Sequence, residues 1–167
     1  MSDRIPAEDP APSIRVATVA DAAAIAELTR RAFAQQAALY DDDTLPPLAD
    51  TAASVTAEIG RGVVILVAED ADGSMVGSVR GEQTDRICRV GRLVVDPAQQ
   101  ERGIGRLLAR AVEKRFPRAE RFVIFTGHRS APALRLYESL GYVREREEYV
   151  HERLSLVFLG KPGPGSR

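Results

Sequence analysis

Gln100-Glu101-Arg102-Gly103-Ile104-Gly105 is the stretch whose residue types and spacing point most directly to chemistry. It follows the apolar run Leu93-Val94-Val95 and opens an arginine-rich segment with helical periodicity. A strand that passes through a short glycine-containing loop into a helix N-terminus is built to hold phosphate. First-turn N–H groups have no partner inside the helix, and the helix dipole adds partial positive charge there. Glycine at 103 and 105 lets an anion approach the backbone without meeting a Cβ. The loop lacks the Gly-Lys-Ser/Thr of a P-loop and the full Gly-x-Gly-x-x-Gly of a dinucleotide site. Cys88 is the single cysteine and sits in an apolar strand pattern with no basic partner evident. It reads as a packed residue in a reducing cytoplasm rather than as a nucleophile.

Positioning such a loop takes a folded domain, and the composition supplies one. The chain has 167 residues, 44% hydrophobic and 28% charged, with a net charge of -1. That suits one domain with a single core and excludes a general binder of nucleic acid or anionic membrane. The run Val63 to Ala68 is far too short to span a bilayer, and Met1-Ser2-Asp3-Arg4 leads into no apolar secretory segment. Three prolines in residues 1–12 and the Pro-Gly-Pro-Gly of residues 161–167 predict a flexible leader and tail. The domain then covers residues 13–160.

Within it, Ile14 to Ala17 reads as a first strand. Thr18 and Asp21 start a helix in capping-box fashion, and Ile25, Leu28 and Ala32 supply its apolar stripe. Asp41-Asp42-Asp43 and Pro46-Pro47 end it, and a second helix covers Asp50 to Ile59. Val63 to Ala68, Met75 to Gln83 and Arg86 to Val95 form a meander. The helix after Gly105 puts Ile104, Leu107, Leu108, Ala111 and Val112 on one face. Arg121 to Thr126 is the next strand. A short helix N-capped by Ser130 and closed at Gly141 carries Ala133, Leu136, Tyr137 and Leu140 inward. Val143 to Tyr149 and Arg153 to Phe158 are closing strands. The order β-α-α-β-β-β-α-β-α-β-β gives an α/β (α+β) domain with a mixed, mostly antiparallel sheet.

This order, with these motifs in these places, resembles the GNAT superfamily of acyl-CoA-dependent N-acyltransferases over residues 13 to 159. The family signature Gln/Arg-x-x-Gly-x-Gly/Ala is matched by Gln100, Gly103 and Gly105, and Val95-Asp96-Pro97 precedes it as is common there. Tyr137-Glu138-Ser139-Leu140-Gly141-Tyr142 answers to the family's tyrosine followed by Leu-Gly-Phe/Tyr. The resemblance implies a sheet of about seven strands with about four helices, splayed between the fourth and fifth strands. It implies acetyl-CoA as acyl donor and transfer of the acetyl group directly to a primary amine of a small molecule or peptide. A non-catalytic acyl-CoA-binding sensor on the same fold is the alternative.

The same resemblance assigns roles. Backbone amides from Arg102 through Gly103, Ile104 and Gly105 to Arg106 would hold pyrophosphate, with the Arg102 and Arg106 side chains adding phosphate bonds. The strand Leu93-Val94-Val95 would pair with pantetheine, Val95 N–H serving the reacting carbonyl. Tyr137 would be the general acid. The base is left between Glu82, acting through a water, and His128, while His151 reads as surface decoration. Where many relatives have an asparagine contacting the cofactor or capping the helix, this chain has Ser130. Substrate choice would lie with Phe33, Tyr40 and the aspartates 41–43, and with Tyr149 and His151. The aspartates read either as an attractor of a cationic amine or as a solvated loop. A homodimer through the closing strands or the splayed sheet follows by analogy.

Overall fold

The computed structural model describes residues 10–166. Residues 1–9 of the expected leader lie outside the described range. The β-branched runs separated by tight turns form a meander: β1 (Ser13–Val16), β2 (Val64–Glu69), β3 (Met75–Thr84) and β4 (Ile87–Val95). Positive φ at Gly73 (82°) and Asp85 (56°) turns the chain between these strands. β5 (Arg121–Gly127), β6 (Val143–His151) and β7 (Leu154–Pro162) complete one sheet in the order β1-β2-β3-β4-β5-β7-β6. Every neighbour is antiparallel except the β4–β5 pair.

Helices cover both faces, as the alternation within β2 requires. Leu66 and Ala68 pack in the cluster with Leu108 and Val112 of α3 (Ile104–Lys114). Ile65 and Val67 pack with Ile25 of α1 (Ala22–Tyr40) and Val55 of α2 (Ala52–Gly60). A strand buried on both faces reads as a continuous apolar run, which is what Val63 to Ala68 shows. α3 sits close on β3 because Gly77 and Gly81 offer no side chain. A Cβ at Gly77 would come 2.7 Å from Leu108 Cδ1, and one at Gly81 2.6 Å from Phe116. Within α3 the stripe Ile104, Leu108 and Val112 is fully buried, each side chain contributing about 1.5–3 kcal/mol. Leu107, expected on that stripe, is 38% exposed because it lies at the edge of the buried arc.

α2 starts with the reciprocal bonds of Thr51 and Ser54 at 2.9 and 3.1 Å. α4 (Ala131–Ser139) ends with Gly141 at φ 96° and Tyr142 N–H donating to Tyr137 O at 3.1 Å. β7 runs further than its apolar pattern suggests. Gly163 and Gly165 N–H groups then donate to Glu120 O and Ala119 O at 2.8 Å, so the segment expected as a loose tail is hydrogen-bonded as far as these glycines. Among the described residues no helix is long and apolar enough to cross a membrane.

Candidate active site

The parallel pair at the centre of the sheet is short. β4 and β5 pair only at Ile87↔Arg121, Cys88↔Phe122 and Arg89↔Val123, while β4 stays bound to β3 as far as Val95. Beyond Arg89 the two strands part. The opening forms a cavity of about 600 Å³ lined by Leu93, Val94 and Val95 on one side and Ile124 to Gly127 on the other, a size suited to a small-molecule site. Asp96 N–H donates to Val76 O at 2.8 Å, so Val94 and Ser78, two residues on, also exchange bonds. The N–H and C=O of Val95 and Leu93 therefore point away from β3, into the gap.

At the upper end of β4, Asp96 Oδ1 accepts Ala98 N–H at 2.9 Å and starts a single helical turn over Pro97–Gln99. Glu101 (φ 69°) and Gly103 (φ 75°) are left-handed, and they swing the chain into α3. The first bond of that helix runs from Leu107 N–H to Gly103 O at 3.1 Å. The N–H groups of Gly103, Ile104, Gly105 and Arg106 have no acceptor among the described residues. A Cβ at Gly105 would lie 3.2 Å from Leu136 Cδ2, so its absence also lets α4 cross the first turn of α3.

The side chains here are bonded within the protein. Arg102 makes a fork–fork pair with Asp70, both bonds at 3.0 Å, and bonds Gln99 Oε1 at 2.7 Å. Arg106 donates to Ser139 Oγ at 2.7 Å. These bonds tie the loop to the β2–β3 turn and to α4. Gln100 Nε2 reaches Gln35 Oε1 of α1 at 3.3 Å, and Gln100 lines the cavity.

Tyr137 on α4 lines the cavity and is 6% exposed. Its ring meets that of Tyr142 edge-on at 6.1 Å. Its hydroxyl has no hydrogen-bond partner among the described residues, and burial pushes its pKa well above the usual phenol value. Ser130 stands at the N-cap position of α4, but its hydroxyl does not cap the helix. It donates to Gln36 Oε1 and bonds Tyr40 Oη, both at 2.7 Å. Tyr40, expected in a substrate-selecting loop, is buried there, its Oη accepting Arg129 N–H at 2.9 Å. Gly127 leaves the room for that ring, since a Cβ there would collide with the Tyr40 hydroxyl. These bonds lock the end of α1 against the mouth of β5.

The two base candidates separate. Glu82 on β3 lines the cavity, with Arg61 Nη2 at 3.5 Å from its Oε2. His128 is exposed and is absent from the cavity wall, its Nδ1 taking Ser155 N–H at 3.0 Å. His151 is no mere surface residue: Nε2 bonds Asp42 Oδ2 at 2.7 Å, joining the β6–β7 hairpin to the loop after α1. Thr44 and His151 together hold the Asp42 carboxyl down at about 2. Asp42 is thereby committed within the protein. Phe33 lines the cavity as expected, whereas Tyr149 is 75% exposed and lies outside its lining.

Below the gap lies a charged cluster that residue-by-residue reading did not find. Arg80 of β3, with a side chain 6% exposed, donates to Asp50 Oδ2 at 2.7 Å and Glu58 Oε2 at 2.9 Å. Arg92 Nε lies 3.6 Å from the same Asp50 oxygen. The Nε atoms of Arg80 and Arg92 are buried and have no hydrogen-bond partner among the described residues. The available signal was Arg80 itself, a cation in the middle of a strand destined for burial, which demands carboxylates nearby.

Comparison with family models matches residues 61–144 to the acetyltransferase (GNAT) domain. Similar solved structures include yncA of Salmonella typhimurium, described with its cofactor acetyl-CoA, at 26% identity over 92% of this chain and 94% of that one, TM-score 0.72. A GNAT superfamily phosphinothricin acetyltransferase from Sinorhizobium meliloti, in complex with acetyl-CoA, has 20% identity over 94% and 91%, TM-score 0.77. The ribosomal-protein-S18-alanine N-acetyltransferase of Escherichia coli has 17% identity over 90% and 92%, TM-score 0.73. No curated protein matches by sequence. With the family model spanning half its length and the same fold in these structures, the chain belongs to the GNAT acetyltransferase family.

Proposed function

We propose that the protein is an N-acetyltransferase that moves an acetyl group from acetyl-CoA directly to an amine of a small molecule or peptide. The observation that carries this is the conjunction of one cavity with two unsatisfied surfaces. The acceptor-less amides from Gly103 to Arg106 stand at one end, and the outward backbone of Leu93 and Val95 lines its wall. Those amides suit a pyrophosphate, and the open strand edge suits the amide groups of pantetheine as an added strand. Bound acetyl-CoA supplies an acetyl thioester whose C–S bond breaks as the C–N bond forms.

The chain's own groups do the rest. Val95 N–H, held out from β3, donates to the carbonyl oxygen as negative charge develops on it. The Tyr137 hydroxyl, kept protonated by burial, gives its proton to the leaving sulfur. Glu82 accepts the amine proton through a water, within reach of Arg61. Ser130 acts indirectly, by fixing α1 to the loop before α4.

The test is thiol release from acetyl-CoA over an amine panel, with wild type and Tyr137→Phe. Turnover by wild type that drops about 100-fold in kcat in the variant supports the reading. Tight acetyl-CoA binding with no turnover on any amine would instead favour an acyl-CoA sensor.

A further inference from the structure

The acceptor end of the cavity carries guanidinium groups with donors to spare. Arg80 and Arg92 together balance Asp50 and Glu58, and Arg61 balances Glu82. Arg89 lines the cavity, is exposed, stands opposite Glu82 in the β3–β4 register, and makes no ion pair or hydrogen bond among the described residues. Arg92 has only the 3.6 Å approach to Asp50 and no hydrogen bond among the described residues, its Nε being buried.

The backbone brings these two residues to one cavity. Positions 89 and 92 are three apart, so strict alternation would send them to opposite faces of the sheet. Between Arg80↔Gly91 and Ser78↔Val94 the register gives β4 one residue more than β3. The bulge falls at Arg92, a non-glycine residue at φ 47°. A bulge re-aims the side chain it carries, and a left-handed arginine is a local cost that the surrounding structure must impose. Arg89 and Arg92 both line the cavity. Of the aspartate triplet, Asp42 is bonded to Thr44 and His151.

Guanidinium forks with open N–H groups are suited to a planar anion, which they bind by charge-assisted, often bidentate bonds. Resting on the acetyltransferase reading, the geometry points to an acceptor that carries a carboxylate as well as its amine. Arg89 and Arg92 hold that carboxylate at the paired end of β4 and β5, while the amine faces the open part of the gap. The acceptor is therefore a free amino acid or a short peptide, not a polyamine.

The experiment pairs acids with their carboxamides. Acetyl-CoA binding is first confirmed by calorimetry. Thiol release is then measured for alanine, leucine, phenylalanine and glutamine, each against its amide, with dileucine and spermidine alongside. The best acid should exceed its amide about 10- to 100-fold in kcat/KM, the range expected for hydrogen bonds to a charged group. The bias runs against this outcome, since the amide's less basic amine is the easier to deprotonate. Arg89→Gln should raise KM for that acid about tenfold or more, with acetyl-CoA affinity held and Arg89→Lys recovering part of the loss. Preference for free acids or for dileucine distinguishes the two carboxylate sources. Amides or spermidine turned over as well as the acids would overturn the carboxylate site and leave the acetyltransferase reading standing. Acetyl-CoA bound with no amine acetylated would overturn both.

Discussion

The upper half of the cavity, from Val95 to Arg106, presents mostly backbone, whereas the half beneath α1 and α2 presents charged side chains. In the first, the amides from Gly103 to Arg106 have no acceptor among the described residues, and the nearby arginines bond Asp70 and Ser139. In the second, Asp50, Glu58, Arg80 and Arg92 come from a loop, a helix and two strands, and meet only once the sheet has formed. A backbone site demands little of its side chains beyond glycine at the turn, so it can be common to many proteins. A side-chain site is free to change with the acceptor. The donor is thus written in a contiguous stretch of sequence and the acceptor is not.

The division can be broken most forcefully at Asp50. Asp50→Ala leaves Arg80 buried without its closest carboxylate, and urea denaturation should show a loss of about 3–5 kcal/mol. Protein that remains folded should still bind acetyl-CoA. Tyr137→Phe sits where the halves meet. It should lower kcat about 100-fold, near 2.7 kcal/mol, and leave acetyl-CoA affinity unchanged.

Gly103→Val acts on the backbone half alone. A β-branched residue at φ 75° costs about 1–2 kcal/mol, which should appear as roughly tenfold weaker acetyl-CoA binding by the folded variant. The smallest effect lies outside both halves. Arg15 donates to both oxygens of Asp21 at 2.8 Å and holds its carboxyl down at about 2. A folded-state pKa below the unfolded value gives stability that is present above about pH 4 and lost as pH falls toward 2. With Arg15 largely exposed, that amounts to about 1 kcal/mol or less. Asp21→Asn should flatten this limb of the stability curve and leave both halves of the cavity working.

The same contrast explains what was legible. The element order follows from local periodicity, caps and turns, the splay of the sheet is implied only by the family resemblance, and the loop from Gln100 to Gly105 is contiguous. Ser130, Tyr40 and Gln36 were harder, because their mutual bonds join α1 to a loop far along the chain. Ser130 has the right type for a cap, but a tertiary partner claims its hydroxyl. The bonds of Arg102 to Asp70 and of Arg106 to Ser139 likewise join segments far apart in the chain. The bulge at Arg92 has only a faint local sign, the neighbouring Gly91 inside the strand, and the register between β3 and β4 reveals the extra residue.

Calorimetric titration of acetyl-CoA into wild type, Gly103→Val and Arg89→Gln tests the central claim most directly. The account predicts that wild type binds, that folded Gly103→Val binds about tenfold more weakly, and that Arg89→Gln stays within about twofold of wild type. Weakening in Arg89→Gln as large as that in Gly103→Val, or wild type failing to bind, would contradict it.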